Sequence, residues 1–277
     1  MSESVASPEL RWEPGPDGVA WLTLNRPATG NALTVAQREG LIAHLAQASA
    51  DPRIRAVVLT GAGERHFCTG ADLSAPAAAG PDPLPGMPEN PAGTVARALT
   101  NGAQRLIAAV LDCEKPVIAA VNGTAAGLGC HLAYACDLVL AAESAKFIEI
   151  FSRRGLIVDA GGAYLLTRLI GPQRAKELIF FGDDLPAAEA ARIGLVNRVV
   201  PADKLAQTAA DWASRLAAGP TVALGLGKRL VNRALDTDRA GSLAEEALAA
   251  EVNMTSEDGQ EGLRAFLERR APRFQGW

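Results

Sequence analysis

The residues best suited to chemistry lie in two glycine-rich segments. Gly61-Ala-Gly-Glu-Arg-His-Phe-Cys-Thr-Gly-Ala-Asp-Leu73 is followed about fifty residues later by Ala120-Val-Asn-Gly-Thr-Ala-Ala-Gly-Leu-Gly-Cys130, and each segment trails an apolar run, Ala56-Val-Val-Leu-Thr60 or Pro116-Val-Ile-Ala-Ala-Val121. Glycine leaves main-chain N–H groups uncovered beside a ligand. Two such donors converging on one carbonyl oxygen stabilise the negative charge that develops there. The plain alternative is that these glycines only permit tight strand-to-helix turns. Gly127-Leu-Gly129, with Glu149 about twenty residues on, also resembles part of a dinucleotide fingerprint, but Leu132 stands at the third glycine position and the segment lies far from an N-terminal βαβ unit. His44 and His66 read as surface residues, and no His/Cys/Asp/Glu cluster has metal-ligand spacing.

The elements that must hold these segments follow from periodicity. Gly18-Val-Ala-Trp-Leu-Thr-Leu24 reads as a first strand, stopped by Asn25-Arg26-Pro27. Thr34 caps a helix running through Ala50, in which Leu41, Ile42 and Leu45 recur at helical spacing. Ala56–Thr60, Pro116–Val121 and Asp137–Ala141 read as buried parallel strands. The loose recurrence of strand, strand and helix suits stacked ββα turns better than a doubly wound sheet. Prolines 76, 81, 83, 85, 88 and 91 forbid a continuous helix between residues 75 and 97, a stretch expected to be a mobile wall beside Asp72 and Leu73. Helical patterning resumes over Val95–Leu111, and then over Asp203–Ala217, Thr221–Leu235, Ser242–Asn253 and Ser256–Arg270.

A chain of 277 residues with 48% hydrophobic content can bury a full core. Its net charge of −4, with acids and bases interspersed, provides no basic stripe for nucleic acid. Cys68, Cys113, Cys130 and Cys136 lack paired spacing, and no signal-peptide pattern opens the chain, so reduced thiols and a cytoplasmic location are expected. No apolar run reaches the ~20 residues of a membrane span, so no membrane partner is expected.

Together with Leu24-Asn-Arg-Pro27, Asn31-Ala-Leu33, Ala160-Gly-Gly162, Thr167-Arg168 and Glu261-Gly-Leu-Arg-Ala-Phe-Leu-Glu-Arg-Arg270, the two segments resemble the crotonase superfamily, the enoyl-CoA hydratase/isomerase family, over nearly the whole chain. The resemblance implies an α/β fold, a crotonase-like spiral of ββα turns with a C-terminal helical lobe. Residues 1–15 would form a flexible N-terminus, 16–200 the core with mobile loop 75–97, and 201–277 a helical lobe that builds a homotrimer or dimer of trimers. It further implies an acyl-CoA thioester substrate and no cofactor beyond the coenzyme A that the substrate carries.

Carried over by position, the oxyanion donors are the N–H groups of Ala71 and Leu128, Leu128 standing where glycine is common. The two glutamates of typical hydratases fall at His131 and Phe151, and an acid appears instead at Asp159, where some isomerases and halide-displacing members present an aspartate. One retained carboxylate fits a 1,3-proton shift better than hydration, which divides its work between two acid/base groups. Asp159 is therefore the expected acid/base of a double-bond isomerase, although an aspartate there can also cap the following helix. His131 is a second acid/base group, an orienter of Asp159, or an ordinary buried histidine; Glu149 reads as structural. The alternatives are a hydratase using His131 with Asp159, and a non-catalytic acyl-CoA-binding protein. Coenzyme A would lie against Arg26, Ala28, Ala32, Thr69, Asp72 and Leu73, with Phe266 and Arg269 of the last helix covering the nucleotide, contributed by a neighbouring subunit.

Overall fold

Runs apolar on both faces need cover on both sides, and in the computed structural model, which describes residues 9–74, 86–88 and 91–277, they form the middle of a sheet. The strands are β1 (Leu10–Pro14), β2 (Val19–Leu24), β3 (Ala56–Gly61), β4 (His66–Cys68), β5 (Val117–Val121), β6 (Thr124–Ala126), β7 (Leu138–Ala142), β8 (Lys146–Ile148), β9 (Leu185–Pro186) and β10 (Arg198–Val200). A six-stranded sheet takes the order β1-β2-β3-β5-β7-β10, and a four-stranded sheet the order β4-β6-β8-β9. Pairing is parallel from β2 to β10 and from β4 to β8, and antiparallel at β1–β2 and β8–β9.

The helices are α1 (Val35–Ala50), α2 (Thr94–Asn101), α3 (Ala103–Leu111), α4 (Leu128–Ala135), α5 (Gly162–Ile170), α6 (Pro172–Phe181), α7 (Ala187–Arg192), α8 (Leu205–Ala217), α9 (Thr221–Arg233), α10 (Arg239–Met254) and α11 (Glu257–Leu267). Three times, at β3–β4, β5–β6 and β7–β8, the chain passes from the large sheet to the small one before its next helix. This is the expected spiral of ββα turns. Each step leaves a short strand and a helix start at the same edge, where both glycine-rich segments fall.

Several expectations need correcting. Leu10–Pro14 belongs to a flexible terminus in the sequence reading, yet it is an edge strand with Leu10 opposite Leu24 and Leu10 itself buried. Residues 1–8 lie outside the described residues, as do 75–85 and 89–90 of the expected mobile loop. The helix expected over Val95–Leu111 breaks at Gly102, whose φ of −114° and ψ of −101° are not helical. In the C-terminal lobe, α8 belongs to the core: Leu205, Ala209, Ala213 and Ala217, spaced four apart, bury a stripe of mostly small residues as the helix packs on the large sheet. Lys228 ties α9 to the same core, its Nζ donating to Val110 O (3.0 Å) and Lys115 O and lying 2.9 Å from Asp137 Oδ2. By contrast α10 buries none of its side chains. Among the described residues no helix is long and apolar enough to cross a membrane.

Candidate active site

The first segment is fastened by side chains from outside it. Asn31 donates to the carbonyls of Ala62 and His66 (3.0 and 2.8 Å), and Asn122, from the second segment, donates to Gly63 O (2.8 Å) and His66 O (3.2 Å). The loop then bridges to Leu33: Leu33 N donates to Gly70 O, and Asp72 N to Leu33 O. In that register the amide of the intervening Ala71 has no acceptor among the described residues. Across from it, α4 begins at Leu128 behind Gly127, whose φ of 51° and ψ of −121° suit glycine. Gly127 O takes the N–H groups of Cys130 and His131, and the Leu128 amide is without a partner among the described residues, as expected at a first turn. A Cβ placed on Gly70 would lie 3.2 Å from Ala126 O and 3.8 Å from Leu128 N, so the two loops are in contact. Gly129 permits this closeness, because a Cβ there would fall 2.0 Å from Cys68 O. Two unpaired amides, one at a helix N-terminus, therefore flank one place, an arrangement able to bind a developing oxyanion.

Three ionisable groups lie beyond α4's first turn. β8 runs parallel to β6, with Gly127 N bonded to Ile148 O, and this register sets Glu149 beside α4. His131 Nε2 and Glu149 Oε2 are 3.0 Å apart, with side chains 0% and 2% exposed. The imidazole stacks on Phe151, with centroids 5.4 Å apart and planes 8° apart. Glu149, read from sequence as structural, is thus a partner of His131. Only an 18-residue separation and the β6–β8 register connect them, so no local signal could have revealed the pair.

Asp159 is half-buried and its carboxylate makes no side-chain hydrogen bond among the described residues. Burial raises its pKa above the ordinary value; the charge of His131 opposes this and that of Glu149 adds to it. It does not cap a helix: α5 starts at Gly162 behind Gly161, with no side-chain cap, and only the Asp159 carbonyl accepts, from Gly162 N. Ala160 and Gly161 are consecutive left-handed residues (φ 45° and 79°), an unfavourable state for alanine that turns the chain sharply after Asp159.

The expected coenzyme A edge gathers in part. Arg26 Nη1 donates to Ala32 O (2.8 Å) and Asp72 Oδ2 (2.7 Å), and its Nε lies 3.4 Å from Glu9. Ala28 sits in the 3-10 turn Pro27–Thr29, and Thr69 N donates to Gly30 O. Asp72 accepts twice from Ser74, and these bonds with the Arg26 guanidinium hold its pKa at about 2. Arg26 and Asp72 therefore shape the loop through each other, while Leu73 is exposed. Phe266 and Arg269 have no hydrogen bond or ion pair to this loop among the described residues. Phe266 is 79% exposed, and Arg269 lies beyond the end of α11, its amide bonded to Phe266 O. His44 and His66 are half-buried instead of superficial: His44 stacks on Trp12, and His66 lies in β4. Among the described residues no group of three His, Cys, Asp or Glu side chains can hold a metal.

A sequence model of the enoyl-CoA hydratase/isomerase family matches residues 15–277. A probable enoyl-CoA hydratase of Rhodobacter capsulatus is 40% identical over 261 residues, covering 94% of this chain and 95% of that protein. The 1,2-epoxyphenylacetyl-CoA isomerase of Escherichia coli is also 40% identical, over 259 residues, covering 94% and 95%. An enoyl-CoA hydratase crystal structure from Bacillus anthracis superposes with a TM-score of 0.86 at 36% identity, covering 97% of this chain and 100% of the other.

Proposed function

This chain belongs to the enoyl-CoA hydratase/isomerase family, and from that premise we propose that it moves a double bond in an enoyl-CoA or ring-derived acyl-CoA thioester, with Asp159 as the single acid/base group. The observation that carries the reading is the state of the carboxylates near α4: Glu149 is committed to His131 inside the protein, whereas Asp159 is half-buried and has no partner among the described residues. Hydration needs one group to activate water and another to protonate the α-carbon. A single free carboxylate suits a shuttle.

In that shuttle the thioester oxygen lies between the Ala71 and Leu128 amides. The Asp159 carboxylate removes a proton from C2 of a 3-enoyl thioester, and the electron pair delocalises into a dienolate whose charge rests on that oxygen. The protonated Asp159 then returns its proton to C4, giving the 2-enoyl thioester and the original carboxylate. Partial burial of Asp159 favours this, because a raised pKa brings the base closer to a weak carbon acid. The α4 N-terminus adds a favourable dipole at the oxygen.

Hydration by His131 with Asp159 is the second reading, favoured by the hydratase names among the relatives. Mass spectrometry after turnover of a 3-enoyl-CoA in D₂O separates the two. Isomerisation converts the 3-enoyl into the 2-enoyl thioester with no gain of water, deuterium entering at C4 where the Asp159 proton exchanges with solvent before its return; a 3-hydroxyacyl-CoA formed from a separately supplied 2-enoyl thioester, with the 3-enoyl thioester left unchanged, would replace isomerase with hydratase. Assembly into a trimer or dimer of trimers is proposed with this reading, supported by exposed Val231, Leu248, Val252 and Phe266 on α9, α10 and α11. A monomeric mass by light scattering at micromolar concentration would remove it.

A further inference from the structure

Resting on Asp159 as the proton shuttle, we infer that His131 and Glu149 form a buried positioning pair that sets the charge beside Asp159 and holds the histidine ring fixed. The 3.0 Å contact between Nε2 and Oε2 places one shared proton between imidazole and carboxylate. The ring has nowhere to turn. Phe151 stacks on one face, and a Cβ on Gly162 would lie 2.2 Å from Nε2 and 2.4 Å from Cε1. Gly162 is also the residue whose N–H bonds Asp159 O, so the turn that carries Asp159 is packed directly against the pair.

Stability alone gives little reason for this arrangement. A buried ion pair is often no more stabilising than apolar residues of the same volume, and this one leaves His131 Nδ1 and Glu149 Oε1 buried without a hydrogen-bond partner among the described residues. The other ionisable groups near Glu149, Cys130 on α4 and Tyr134 one turn on, are kept neutral by burial, which raises both well above their ordinary values. His131, Glu149 and Asp159 are then the charges that matter here, and the first two act on Asp159 with opposite sign. Removing the imidazole alone exposes Asp159 to a like charge; removing both partners does not.

The test compares kcat/KM against pH for wild type, His131→Gln and His131→Gln/Glu149→Gln, each checked for folding by thermal melt. The acidic limb should move up by about one unit in the single variant, as a like charge raises a carboxylate, and return to within a few tenths in the double variant. An unmoved limb in His131→Gln, or a double variant that keeps the single variant's limb, overturns the inference. The chain has three histidines, so a second readout needs no turnover. The hydrogen-bonded His131 Nε2–H proton resonance should persist in Asp159→Asn and vanish in Glu149→Leu, which has no acceptor. Its survival in Glu149→Leu overturns the pair even if His131→Gln folds poorly. Full activity of Asp159→Asn would instead sink the shuttle while leaving that resonance result standing.

Discussion

Two loops of this protein use the same three residue types in opposite order, Gly70-Ala71-Asp72 and Asp159-Ala160-Gly161, and their aspartates end in opposite states. Asp72 accepts from Ser74 N (3.0 Å), Ser74 Oγ (2.6 Å) and Arg26 (2.7 Å), and is held near a pKa of about 2. Asp159 has no donor among the described residues and is partly desolvated, and its pKa rises. Composition cannot distinguish them; donors and water access do. A carboxylate surrounded by donors is a fixed anion that shapes a loop, whereas one denied donors and partly desolvated is able to exchange protons.

The strongest way to break this contrast is to exchange each aspartate for asparagine. Asp159→Asn should lower kcat by ~10²–10⁴-fold, the share general acid/base groups contribute, with thioester affinity by calorimetry unchanged. Asp72→Asn should raise KM and leave kcat within a few-fold. Equal losses of kcat in both would erase the distinction.

Glycines on the two loops offer a smaller, structural comparison. Gly162→Ala should lower stability by ~1–3 kcal/mol, as overpacking does, because the new methyl meets His131 Nε2 at 2.2 Å. At Gly70 the nearest atom is Ala126 O at 3.2 Å, but φ is +104°, so Gly70→Ala acts through backbone strain. Thermal melts give the size of each loss and proton NMR distinguishes the causes: only Gly162→Ala should change the His131 Nε2–H resonance, and an unchanged resonance there would argue that the ring is free to move.

pH sharpens the contrast further. As a base, Asp159 must be ionised, so the acidic limb of kcat/KM should lie above the 3.8 of an ordinary aspartate; a limb at or below that value contradicts the raised pKa. The smallest effects are on folding. A pKa raised by folding means that ionised Asp159 costs stability as pH climbs through its folded value, so Asp159→Asn should melt slightly higher than wild type at neutral pH. Asp72 has the opposite sign: its contribution is present above 3.8 and is lost as pH falls toward about 2, so Asp72→Asn should melt lower at neutral pH. Both differences should shrink in acid, and same-sign shifts at neutral pH would refute the comparison.

Much of this was legible locally. The Thr34–Gln37 capping box opens α1 where the sequence places a helix start, and β2, β3, β5 and β7 fall within a residue or two of their apolar runs. The four C-terminal helices carry their own periodicity and stops. Strands β4, β6 and β8 were not legible, because three residues are too few for an alternating pattern to show. β1 was hidden by Arg11, Glu13 and Pro14, which an edge strand tolerates on its open side. The burial of α8 against the large sheet was not legible either, because an apolar stripe states only that it is covered, not by which surface.

The sequence by itself determined the two glycine-rich loops, from residue types read over short spans, and, through the resemblance that its motifs carry in order, the family and the spiral. It also marked Asp159 by position. Only the tertiary structure decided the state of that aspartate, the pairing of His131 with Glu149, the capture of Arg26 by Asp72 across 46 residues and the contact of Gly70 with the start of α4. The physical reason is common to all four. A carboxylate's charge and a donor's freedom are set by which atoms lie within a few ångströms, and in a sheet built from distant strands those neighbours are chosen by register, not by proximity along the chain.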